Sequence, residues 1–167
     1  MWSLALLLAC TSASEEDSAT GPEGSFPDDS SAEGIAAFVQ AGAWSQPPWV
    51  AESEAPREAA SVSSPHGRVQ VFLNDLVMAS AQAGEGIDGT TPFDAGSMVV
   101  KVLHAEDDSV LGHAAMLKLD GGFAEWVYWC EGPGARCGAD GDQESTWGIG
   151  LDTSCGACHG GNVFNLL

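Results

Sequence analysis

Apolar and polar residues follow the pattern of short β-strands over much of the second half of the chain. Runs rich in valine, leucine and aromatic residues are separated by the glycine and acidic residues typical of turns. The pattern predicts four strands, which are Val69–Leu73, Met98–His104, Val110–Leu119 and Glu125–Cys130. Polar residues 106–109 join the second strand to the third and predict a hairpin. We therefore expect an antiparallel sheet.

A short helix is predicted before the sheet. Ser30 and Glu33 have the spacing of a capping box at its start. The buried face of this helix would consist of Ile35, Phe38 and Val39. Gly42 should end the helix, because glycine readily adopts the left-handed conformation found at helix ends.

The remaining segments are expected to be less regular. Two prolines argue against regular structure over Trp44–Trp49, and the acidic residues 51–65 favour either a surface helix or a loop. A last helix is predicted over residues 152–159, with Asp152 or Thr153 as its N-cap. The predicted fold class is α+β and sheet-dominated: an antiparallel β-sheet with a few short helices, one of them near the C-terminal end.

Residues 1–10 form a short apolar run that ends in a cysteine. The run is far below the ~20 residues that a membrane-spanning helix needs, so it predicts a targeting segment. Residues 7–10 resemble the lipobox of bacterial lipoproteins, in which Cys10 would be acylated; the alternative is a buried N-terminal helix. The acidic, serine-rich residues 11–32 predict a disordered tether, which leaves 33–167 as the folded domain.

The charge of the chain is strongly negative. It has 24 Asp and Glu against 5 Lys and Arg, which gives a formal net charge of -19 at pH 7. Such a surface repels nucleic acid and anionic lipid headgroups, so we expect no nucleic-acid partner. A basic protein is the better partner for it.

Cys155 and Cys158 lie in a C-x-x-C-H sequence that ends in His159. In this motif the two thiols bond to haem vinyl groups and the histidine ligates the iron, because residues three apart share one face of a helix. The motif therefore predicts one covalent haem c and makes the predicted 152–159 helix a haem-attachment helix. The alternatives are a redox-active C-x-x-C pair, or half of a zinc site that would need two further ligands.

The other three cysteines also have expected roles in an exported protein. Cys10 would carry the lipid, and Cys130 and Cys137 would form a disulfide in an oxidising compartment. These roles predict a lipoprotein of the bacterial cell envelope that faces the periplasm. The outer membrane is preferred, because Thr11 and Ser12 lack the Asp that often marks inner-membrane retention.

Residues 66–167 resemble the cytochrome P-460 family, which also includes the cytochromes c′-beta. The matching features keep the order and spacing of the family. They are residues 66–74, 93–101, 112–118 and 126–129, and the late C-x-x-C-H motif followed by residues 162–164.

The resemblance implies a homodimeric, sheet-rich haem protein in which His159 holds the iron and the opposite side of the iron is open. In the P-460 branch a lysine is covalently linked to the haem ring, and the corresponding residue here is Lys101. That branch oxidises hydroxylamine, and the linked lysine belongs to its catalytic centre. The c′-beta branch lacks the link and binds nitric oxide in an apolar pocket.

The surroundings of Lys101 bear on this expectation. Lys101 shares a strand face with Val99 and Leu103, and apolar neighbours would favour its reactive neutral amine. The alternative is an edge lysine or one that extends to water. Enzymatic P-460 members have a carboxylate where this chain has Ala114, and His113 should point to the opposite face.

Other residues near the predicted haem have simpler interpretations. His104 and His113 are expected to be polar surface or core residues rather than sixth haem ligands, and Met98 and Met116 to be core residues rather than an axial pair.

Three functions are consistent with the sequence. The first is an oxidoreductase acting on hydroxylamine or nitric oxide, and the second is a non-catalytic nitric-oxide-binding or electron-transfer cytochrome. The third is an acidic surface lipoprotein without haem. Lys101 favours the first function and Ala114 favours the second.

Overall fold

The computed structural model describes residues 26–58, 66–84, 93–120, 126–132 and 145–149. This part of the chain contains two α-helices, α1 at Ala32–Ala41 and α2 at Asp75–Ala83, and a 3₁₀ turn at Ala43–Ser45. Neither of these helices is long and apolar enough to cross a membrane. The strands are β1 (Val50–Ala51), β2 (Arg57–Glu58), β3 (Arg68–Leu73), β4 (Met98–His104), β5 (Val110–Lys118), β6 (Trp126–Glu131) and β7 (Ser145–Ile149).

The strands form one antiparallel sheet. Six of them lie side by side in the order β1-β3-β4-β5-β6-β7, and β2 pairs with β3 as well. A tight turn joins β4 to β5, in which the Ala105 N–H donates to the Ser109 carbonyl at 2.9 Å. The α+β fold, the antiparallel sheet and the hairpin are as predicted, and the four predicted strands match β3, β4, β5 and β6 to within one residue at each end.

Both faces of the sheet are apolar. The face that packs against α2 and Phe93, here called the α2 face, has the buried strand residues Val69, Val71, Leu73, Val99, Leu103, Ala114, Met116, Trp126, Tyr128 and Cys130. The face that packs against α1 and the 3₁₀ turn, here called the α1 face, has Met98, Val100, Val102, Ala115, Leu117, Val127 and Trp129. Because β4 and β6 are covered on both sides, their sequences are nearly continuous apolar runs.

The side chain of Asn74 joins α2 to the sheet. It is the N-cap of α2, where its Oδ1 accepts a hydrogen bond from the Val77 N–H at 3.1 Å. The same oxygen accepts from the Met98 N–H at 3.0 Å, and Nδ2 donates to the Gly96 carbonyl at 2.8 Å. Asn74 is 0% exposed, so water cannot replace these bonds. One side chain therefore fixes the start of α2 and the start of β4.

Helix α1 begins one residue later than predicted. Ser31 is the N-cap, and its hydroxyl accepts a hydrogen bond from the Gly34 N–H at 3.1 Å. The Asp29 carboxylate accepts bonds from both the N–H and the hydroxyl of Ser31, which holds that residue in the capping position. The predicted capping box starting at Ser30 is therefore wrong. Gly42 ends the helix as predicted, with a φ of 74°.

Three strands and one helix of the structure were not predicted from the sequence. They are β1, β2, α2 and β7. Of the expected helix or loop over residues 51–65, described residues 52–56 are a loop, whereas Ala51 of β1 and both residues of β2 pair with β3. Arg57 donates to both carboxylate oxygens of Glu52, at 2.6 and 2.7 Å, and so ties β2 to the residue that follows β1. Helix α2 and strand β7 were also not predicted, and β7 pairs with β6.

Replacing Asn74 with alanine should lower the free energy of unfolding by about 3 kcal/mol, because two buried N–H groups and one carbonyl lose their partner. Ser31→Ala removes the N-cap of α1 at a partly exposed position and should cost about 1 kcal/mol. Urea unfolding followed by tryptophan fluorescence measures both values. Equal losses in the two variants would contradict the role of Asn74 in joining α2 to the sheet.

Candidate functional site

The predicted haem-attachment residues lie outside the described part of the chain. This holds for Cys155, Cys158 and His159, for Cys10 and Cys137, and for the helix predicted over residues 152–159. All of them stay predictions from the sequence. Within the described ranges, no group of three or more His, Cys, Asp or Glu side chains could hold a metal ion. The part of the predicted site that can be described is the sheet around Lys101.

Lys101 lies in the middle of the α2 face. Its strand β4 pairs with β3 on one side and with β5 on the other, so the alternative of an edge lysine is wrong. Lys101 is opposite Val71 in β3 and opposite Ala114 in β5. Its neighbours on the same face of β4 are Val99 and Leu103, both of which are buried. The predicted apolar neighbourhood of Lys101 is therefore confirmed.

The residue next to Lys101 on β5 is small and uncharged. Ala114 is directly opposite Lys101, and on its other side it pairs with Cys130 of β6. Among the described residues, strands β3 to β6 place no Asp or Glu on the α2 face. His113 points to the α1 face, as predicted, and packs there against Trp44. A proton-accepting carboxylate is thus absent from this part of the sheet.

Lys118 lies on the same face as Lys101, and the sequence pattern does not single it out. It follows Ala114 and Met116 at the two-residue period of β5 and pairs with Trp126 of β6. Lys118 is 3% exposed, and its Nζ donates to the Leu119 carbonyl at 2.9 Å. The chain contains only these two lysines. Lys101 and Lys118 therefore lie on the same face of the sheet. The two-residue period of β5 could have predicted this position for Lys118.

Cys130 is buried near the end of β6 and is disulfide-bonded. The partner lies outside the described residues, as do the other four cysteines of the chain. The pairing with Cys137 therefore stays a prediction. A disulfide at Cys130 is consistent with an oxidising compartment.

The histidines of β4 and β5 lie on the side of the sheet opposite Lys101. The ring of His113 packs edge-on against Trp44, with ring centroids 5.6 Å apart. Burial lowers the pKa of His113, and the nearby His104 lowers it further by charge repulsion. The Nδ1 atom of His104 is 2.9 Å from the Asp108 carbonyl oxygen. Neither histidine can ligate a haem that lies beside Lys101, because the sheet separates them from that face.

The two methionines of the hairpin are core residues, as predicted. Met98 is fully buried in the α1 face, and Met116 is buried in the α2 face. Because they lie on opposite faces, they cannot form an axial pair on one iron.

His113 should make the stability of the protein depend on pH. Because the pKa of His113 is lowered in the folded protein, the unfolded chain takes up this proton at a higher pH than the folded chain does. The free energy of unfolding should therefore fall as pH drops from about 6.5 through the lower folded-state pKa. His113→Gln cannot ionise and should lack this loss, which urea unfolding at a series of pH values would show. A wild-type minus variant difference that is constant with pH would contradict the assignment.

Comparisons with protein-family models, with curated proteins and with solved structures find no match for this chain. The resemblance to the cytochrome P-460 family therefore rests on the sequence features alone and stays a prediction. The molecule described is an α+β protein whose antiparallel sheet carries Lys101 at the centre of one face.

Proposed function

We propose that this protein is an exported cytochrome with one covalent haem c, attached through Cys155 and Cys158 with His159 as the axial iron ligand. The C-x-x-C-H sequence carries the proposal, because it supplies two thiols and an imidazole in the spacing that haem attachment requires. The bound haem would supply an iron with an open position for small nitrogen species such as nitric oxide or hydroxylamine.

We expect the haem to lie against the α2 face, beside Lys101. Buried apolar side chains of β3, β4 and β5 surround Lys101 on this face, so a haem beside Lys101 would have the apolar surroundings that a cofactor site requires. Ala114, directly opposite Lys101 in β5, is small and uncharged. Lys101 would then lie next to the haem, as the linkage that the resemblance implies requires.

Binding of nitric oxide, or electron transfer, is favoured over oxidation of hydroxylamine. Oxidation of hydroxylamine releases protons, and a general base must lie within hydrogen-bonding reach to accept them. In the described strands β3 to β6 the α2 face has Ala114 beside Lys101 and no carboxylate. The presence of Lys101 still favours an oxidoreductase, which remains the second candidate function.

The location and partners follow from the same reasoning. Acylation of Cys10 would anchor the protein to a bacterial membrane, with the outer membrane preferred. The part of the predicted 11–32 tether that precedes Asp29 and the N-cap Ser31 would link the lipid to the domain on the periplasmic side. The net charge of -19 suits a basic redox partner protein and makes nucleic acid a poor candidate as a partner. The family resemblance adds a homodimer to this proposal.

Expression of the full chain with a c-haem assembly system should give a coloured protein that keeps its haem after denaturation. The pyridine haemochrome spectrum counts the haem groups, and we expect one for each chain. Replacing both Cys155 and Cys158 with serine should abolish covalent attachment, because the two thioether bonds are lost. Cys10→Ser is the matched control and should lose only the lipid. A colourless wild-type protein would overturn the cytochrome proposal.

The ferrous spectrum distinguishes the two candidate functions. A Soret band far to the red in wild type that Lys101→Arg returns to the ordinary position would support a lysine–haem linkage and the oxidoreductase. We expect instead an ordinary high-spin c-haem spectrum, nitric oxide binding by the ferrous protein, and no oxidation of hydroxylamine. Lys118→Arg is the matched control, because Lys118 lies on the same face without pairing with Ala114.

A further inference from the structure

His104 and His113 are neighbours on the α1 face of the β4–β5 hairpin. His113 is directly opposite Val102, so His104 is its diagonal neighbour across the strand pair. Diagonal neighbours in antiparallel strands have Cβ atoms about 7 Å apart, which two imidazole rings can span with one ion between them. The register shifts between Leu103 and His104, and such a bulge changes the direction of the side chain next to it.

The hydrogen bond of His104 determines which of its nitrogens is available. Nδ1 lies 2.9 Å from the Asp108 carbonyl oxygen, and a carbonyl can only accept, so Nδ1 carries a proton. In the neutral ring the lone pair is then on Nε2. This atom is buried and has no hydrogen-bond partner among the described residues. Metal-binding histidines are commonly oriented in this way, with one ring nitrogen bonded to a carbonyl and the other left for the metal.

His113 is held in place by its neighbours. Trp44 packs edge-on against the ring, with centroids 5.6 Å apart, and restricts the orientation of the imidazole. Glu131 of β6 is directly opposite His113, is exposed, and would attract a cation to this end of the face. Arg68 is directly opposite His104 in β3, and its guanidinium forms ion pairs with Glu58 and Asp108.

We propose that His104 and His113 together bind a divalent transition-metal cation, such as Cu²⁺ or Zn²⁺, through Nε2 of His104 and a ring nitrogen of His113. Imidazole nitrogens suit these ions. No third ligating side chain joins this pair among the described residues, and water would fill the positions that the rest of the chain leaves open. The site lies on the opposite side of the sheet from Lys101 and does not depend on the proposed haem.

Titration of the full-length protein with Cu²⁺ at about pH 7.5, where imidazoles of ordinary pKa are mostly neutral, tests the proposal. We expect one high-affinity Cu²⁺ for each chain by calorimetry. The electron paramagnetic resonance spectrum should show hyperfine splitting from two nitrogen ligands. Tryptophan fluorescence should be partly quenched, because Trp44 contacts His113.

His104→Gln and His113→Gln should each lower the Cu²⁺ affinity about 10- to 100-fold, as the loss of a group at a metal site commonly does. His66→Gln is the matched control and should leave the affinity unchanged, because His66 precedes β3 and is not part of the pair. Circular dichroism checks that each variant is folded. The proposal would be overturned if the variant that carries both His104→Gln and His113→Gln kept its Cu²⁺ affinity. It would also be overturned if the electron paramagnetic resonance spectrum of wild type showed oxygen ligands alone, and the ion would then be assigned to the acidic surface.

Discussion

The hydrogen bonds of Asn74 are the constraint on which the rest of the sheet depends. β3 ends at Leu73, and Asn74 both starts α2 and bonds to Met98, the first residue of β4. Its backbone N–H also donates to the Met98 carbonyl, at 3.1 Å. These bonds fix the register of β4 against β3. A slip of one residue would turn every side chain of β4 to the other face, and Lys101 would lie under α1 instead of on the α2 face.

The two faces of the sheet carry different basic side chains. Both lysines of this acidic chain lie on the α2 face, whereas the histidines of β4 and β5 lie on the α1 face. Both faces are apolar near their centres, and Lys101 and His113 are half-buried among apolar neighbours, where charge is more costly than in water. The proposed haem beside Lys101 and the proposed cation at the histidine pair would therefore lie on opposite sides of the sheet.

The long strands could be predicted because β4, β5 and β6 are apolar runs bounded by turn residues. The two-residue period of β4 and β5 also placed Lys101 and His113 on opposite faces.

Helix α2 could not be predicted from apolar periodicity, since only Val77 and Ser80 are buried in it and its position depends on the contacts of Asn74. β1 and β2 have two residues each and exist only because β3 offers an unpaired edge. The N-cap of α1 could not be predicted from capping-box spacing, because Ser31 is held in the capping position by Asp29, two residues earlier.

The short strands at the edge of β3 have a consequence for self-association. An unpaired edge of a sheet is a template for the strand of another molecule, and such pairing leads to aggregation or fibres. Here β1 and β2 cover that edge in two short pieces, and the Arg57–Glu52 ion pair places charged groups between them. A second chain therefore finds no long row of free backbone groups along β3. A dimer formed by strand pairing along β3 would require β1 and β2 to be displaced first.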